Sequence, residues 1–126
     1  MSKKSDETDI PPPIVVETDE MTLRSKFIIG DFEARLERGE LWLRVMPGTE
    51  HPAPQAMIQP LGGEPAGTLA HMLQIFDGSR LVALVHEYLR PDGSRGASGK
   101  RDPKWLLLDG VVYKQAKKRA RGRPLD

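Results

Sequence analysis

The chain contains no cysteine, which excludes disulfide staples, thiolate metal sites and a cysteine nucleophile. Asparagine is absent as well. No apolar run approaches the roughly 20 residues that a membrane span needs, and the first residues lack the apolar stretch of a signal peptide. The expectation is a soluble, cytoplasmic protein with no membrane partner. Hydrophobic side chains make up only 38% of the sequence and charged ones 29%, a lean balance for a globular chain. Part of the 126 residues is therefore expected to stay unpacked, and the remainder suffices for one domain with one core. Histidine is scarce too, at three. His51 stands beside Glu50 with no further ligand near it in the sequence, so no metal site or cofactor is expected.

What charge there is divides unevenly. Residues 1–89 hold 8 basic and 14 acidic side chains, a net of −6, whereas residues 90–126 hold 11 basic and 4 acidic, a net of +7. The overall charge of +1 hides this asymmetry. A basic last third points to an anionic partner.

The pattern of residues predicts an α+β fold: a small single domain over residues 14–114, with short strands and one or two helices. A disordered acidic arm at 1–13 precedes it and a basic tail at 115–126 follows. "MSKKSDETDIPPP" has too little apolar surface to offset its ordering entropy, and Ile14 to Val16 follow it as a short edge strand. Ile28, Phe32 and Leu36 recur every four residues, predicting a helix from Thr22 to about Arg38 that closes at Gly39, with a strand from Leu41 to Met46 after it. The Pro/Gly-rich stretch 47–67 reads as a long connection whose middle is pinned by Met57, Ile58 and Leu61. Leu69, Met72, Leu73 and Phe76 take helical positions behind Thr68 as a cap, so 68–76 reads as a helix. Residues 80–90 read as a strand. Trp105 to Leu108 and Val111 to Tyr113, separated by Asp109-Gly110, form a hairpin.

Several motifs fall short of a chemistry. In "PDGSRGASGKRDPK", Gly93 and Gly99 have five residues between them where a phosphate-binding P-loop has four, and Arg101 follows Lys100 where Ser or Thr is needed for magnesium. The loop's glycines and its basic Lys100 and Arg101 still suit contact with an anion, both side chains being read as exposed. "HEYLR" at His86 to Arg90 departs from H-E-x-x-H at its last residue, because a guanidinium repels a cation. No residue is assigned a catalytic role. The enzyme alternative is a nuclease-like site in which His86 and Glu87 work with the basic 95–104 loop. A protein-interaction module is the other alternative.

The tail "KQAKKRARGRPLD" sets six cations (Lys114, Lys117, Lys118, Arg119, Arg121, Arg123) against Asp126. Within it, Arg121-Gly122-Arg123-Pro124 resembles the core of an AT-hook, with Ala120 where that family has proline. The resemblance implies that Arg121 and Arg123 enter the narrow minor groove of A·T-rich DNA. Gly122 would allow the close approach and Pro124 direct the exit. The expected partner is nucleic acid, DNA by preference. The expected residues are Lys117, Lys118, Arg119, Arg121, Gly122, Arg123 and Pro124, assisted by Lys100 and Arg101.

Overall fold

A computed structural model describes residues 13–116. The expectations for the arm and for most of the tail lie outside these residues. Seven strands and two helices make up a mixed α+β domain: β1 (Ile14–Thr18), α1 (Glu20–Ile29), α2 (Phe32–Glu37), β2 (Trp42–Val45), β3 (His51–Pro52), β4 (Leu69–Asp77), β5 (Arg80–Leu89), β6 (Asp102–Leu108) and β7 (Val111–Gln115). The sheet order is β1-β7-β6-β5-β4-β2, with β3 also paired to β4. All neighbours run antiparallel except β1 and β7, which are parallel.

The β6–β7 hairpin forms as its residues predict. Leu108 pairs with Val111, leaving Asp109 (φ 52°) and Gly110 (φ 78°) as the turn, the two positive φ values of a type I′ connection. Ile14 to Val16 do form an edge strand, extended by two residues, and 80–90 is β5 with one residue fewer.

The single helix over 22–38 is instead two. Asp19 caps α1 by accepting the Thr22 N–H at 2.8 Å, and α1 ends at Gly30, after which Asp31 is left-handed at φ 58°. A Cβ on Gly30 would collide with the Phe32 ring. The break is what lets Phe27 and Phe32 stack at 5.0 Å inside the core. Residues 68–76 are not a helix: from Leu69 on they belong to the interior strand β4, hydrogen-bonded to β5 on one side and to β2 and β3 on the other. The apolar side chains there satisfy both periods, and pairing on two sides decides between them. Thr68, expected as a helix cap, is buried with its hydroxyl donating to Pro65 O at 2.8 Å. Leu61 does not pin the long connection, since it is 73% exposed; Ala53 and Glu64 are buried there instead.

Both helices lie on one face of the sheet. Leu23, Phe27 and Phe32 pack down onto Leu73, Ile75, Ala83, Val85 and Leu106, which the strand register places together. Lys26 reaches over the Tyr113 ring at 5.0 Å and fastens α1 to β7. Because side chains alternate along a strand, the opposite set on β4 and β5 turns away from the helices. Met72, Gln74, Phe76, Leu84, His86 and Tyr88 are all half-buried, whereas Leu73, Ile75, Ala83 and Val85 are fully buried. One face is a core and the other faces solvent.

Candidate functional site

The glycine-rich loop does cradle an anion, and the anion is its own. Glu64 accepts from Arg90 Nε at 2.8 Å and from the Ala97 N–H at 2.9 Å. These donors hold its carboxyl below the usual glutamate range. Ala97 takes φ 54° to aim that N–H, and a Cβ on Gly96 would meet Glu64 Oε1 at 2.8 Å. Ser94 closes the neighbouring turn by donating its N–H and its hydroxyl to Asp92 Oδ1 at 2.9 and 2.7 Å. These donors are satisfied by the protein's own carboxylates.

Lys100 is exposed, as expected. Arg101 is not. Its side chain is only 18% exposed, and it pairs with Glu33 on α2 at 2.6 Å and with Glu87 on β5 at 3.3 Å. Among the described residues, the exposed pair read from the sequence is thus one cation without an ion-pair partner and one structural one.

Arg101 belongs to a buried ionic chain that sequence reasoning missed. Glu87 is buried and accepts at 2.8 Å from Nε2 of buried His71, its neighbour across the hairpin. A carboxylate only accepts, so this nitrogen carries the proton. Glu50 approaches the other ring nitrogen at 3.6 Å. From Glu50 through His71 and Glu87 to Arg101 and Glu33, polar contacts run from the long connection through the sheet to α2. This chain ties three parts of the fold together.

The nuclease-like pair does not converge. His86 and Glu87 are consecutive on β5 and point to opposite faces. Glu87 lies beneath the helices, while His86 sits on the free face with its ring edge-on to Tyr88 at 4.7 Å. Burial lowers the His86 imidazole below the ordinary histidine value, and the Lys104 ammonium adds to the effect. Two groups on opposite sides of a sheet cannot serve one bond as acid and base.

An open cleft of about 1550 Å³ is lined by residues of α1, α2, β2 and the 95–104 segment, and by His86 and Tyr88 of β5. Its charges are largely paired. Asp102 accepts from Lys104 at 3.0 Å and Arg24 at 3.1 Å. Burial pushes the Asp102 carboxyl upward, but these hydrogen bonds outweigh it and hold it below the usual range. Among the described residues, Arg95 has a buried Nη1 with no hydrogen-bond partner, and no group of three or more potential ligands could hold a metal ion.

The free face of the sheet carries both tryptophans of the chain. Trp42 stacks on Phe76 at 4.5 Å and 17°, and its Nε1–H donates to Gly78 O at 2.8 Å. Arg44 lies over the same Phe76 at 5.1 Å and donates to Gln74 at 2.8 Å. The register from Arg44 to Gln74, Leu84, Trp105 and Lys114 crosses the sheet on this side. Lys117, Lys118, Arg119, Arg121, Gly122, Arg123 and Pro124 lie outside the described residues.

Compared with family models, curated proteins and solved structures, the chain matches none. Among the described residues no helix is long and apolar enough to cross a membrane.

Proposed function

We propose that the chain is a small cytoplasmic nucleic-acid-binding protein, an accessory or regulatory factor that grips DNA through its basic C-terminal tail. The observation that carries this reading is the charge division, with +7 in residues 90–126 against −6 before them. The AT-hook-like Arg121-Gly122-Arg123-Pro124 gives the tail a groove-binding core. Phosphate contacts supply affinity in such binding, and the groove arginines supply the preference for A·T-rich sequence. Lys114, the last basic side chain of β7, leads into the tail from the helix-free face, and exposed Lys100 adds a cation from the loop. Arg101 drops out of the contact set because Glu33 and Glu87 hold it.

The test is a substitution series read on two duplexes. Arg121→Ala and Arg123→Ala weaken an A·T-rich duplex more than a G·C-rich one, because the narrow groove rewards an inserted arginine. Lys117→Ala and Lys118→Ala weaken both alike. Identical behaviour of all four would reduce the tail to a polycation without groove readout.

One observation favours a protein-interaction reading beside this one. β1 is an edge strand whose Ile14 and Val15 are 65% and 53% exposed, an edge that no other described strand covers and that suits strand addition. A partner on β1 would stay bound after the tail cations are removed.

A further inference from the structure

The tail leaves the most distinctive surface of the domain unused. The helix-free face presents aromatic rings on several strands, and Trp42 on β2 and Trp105 on β6 are three strand spacings apart, about 14 Å. We propose that this face is a stacking platform for single-stranded nucleic acid. The inference rests on the nucleic-acid reading above but uses a different part of the molecule.

Three observations support that occupant. The Trp42 ring is fixed before any ligand arrives, by Phe76 on one side and by its N–H bond to Gly78 O, yet the residue remains 47% exposed. A base stacking on it loses little side-chain entropy. The free face also carries Arg44, which has no ion-pair partner among the described residues, and Lys114, which lies 4.0 Å from Glu17. Aromatic rings interleaved with cations are what an unpaired strand needs, because every base has a π-face and every linkage a negative charge. Finally, Gln74 and His86 lie on interior strands of the face and Arg44 on its β2 edge. A second copy of the chain covering it would bury these polar groups against their own like, whereas bases and phosphates offer them acceptors.

Because Trp42 and Trp105 are the only tryptophans, intrinsic fluorescence reports on this face alone. The experiment titrates the full chain with oligothymidylate and with a duplex of equal length, following tryptophan emission and the anisotropy of a labelled strand. Oligothymidylate is expected to quench the emission. Trp42→Ala is expected to weaken single-strand binding by roughly five- to a hundredfold, Trp42→Phe to retain most of it, and urea unfolding to show that both variants are folded. A full-length variant with Lys117, Lys118, Arg119, Arg121 and Arg123 changed to Gln still quenches, at higher strand concentration. If strands bind without quenching and Trp42→Ala binds them as wild type does, the platform is wrong while the tail reading stands. If no nucleic acid binds, both fail together. Sedimentation showing a dimer that Trp42→Ala dissolves would assign the face to a second copy and overturn the inference.

Discussion

Arg101 is one of the two cations of the loop read as exposed, and its replacement separates the folded arrangement from that reading. The Arg101→Ala variant leaves Glu87, whose side chain is 9% exposed, with His71 as its remaining partner, and frees Glu33 on α2. At 3.3 Å and an effective dielectric of about 20, the lost attraction is of order 5 kcal/mol before relaxation. Water enters where the 18%-exposed guanidinium stood, and His71 still donates to Glu87, so the net loss is about 3 kcal/mol, the lower end for breaking a buried pair. For a domain of this size that is a fall in Tm of roughly 12 °C. Urea and thermal unfolding followed by circular dichroism read it directly. Lys100→Ala, one residue away and exposed, should stay within about 0.5 kcal/mol of wild type. Combining Arg101→Met with Glu87→Gln should recover much of the loss, because the stranded charge goes too. Arg101→Ala matching Lys100→Ala would refute the buried ionic chain.

Other perturbations test separate parts of the account. Gly30→Ala should destabilise the domain by more than about 1 kcal/mol although alanine is the better helix former, because the new methyl meets the buried Phe32 ring; a higher Tm would contradict this. The NMR titration midpoint of His86 should lie below the ordinary value of about 6.5, as its burial and Lys104 dictate. The unfolded chain then takes that proton more readily than the folded one, so the stability due to neutral His86 is full above about pH 6.5 and is lost as pH falls below it. A midpoint at or above the ordinary value would reverse that sign. Glu64→Gln should loosen the 95–99 loop, seen as faster amide exchange at Ala97, whose N–H it anchors; unchanged exchange would mean the loop holds itself.

Much of the sheet can be read from local chemistry. The Asp109-Gly110 turn sets the β6–β7 register because a type I′ turn demands those residues, and the fold class follows from strands and helices of both periods. β4 was not legible because Leu69, Met72, Leu73 and Phe76 satisfy a helix while Leu73 and Ile75 satisfy a strand. Pairing with β5 on one side and with β2 and β3, remote in sequence, on the other settles the matter. The split of the first helix turns on whether Gly30 merely weakens it or ends it, and that depends on where Phe32 packs. His86 and Glu87 carried a usable signal, since adjacent strand residues face opposite sides. The His71–Glu87 contact did not. Counting back from Asp77–Arg80 would set His71 opposite His86, and the bulge between Ile75 and Phe76 shifts it to Glu87. A bulge adds a residue without a sequence mark strong enough to place it.

The most direct test of DNA binding through the tail is the salt dependence of full-length protein on an A·T-rich duplex, measured beside the variant with its five tail cations beyond Lys114 changed to Gln. With all six basic groups from Lys114 to Arg123 engaged, log affinity falls against log salt with a slope up to about −5. The variant should show a slope near zero to −1, with affinity reduced at every salt concentration. Equal slopes and affinities for the two proteins would contradict the account.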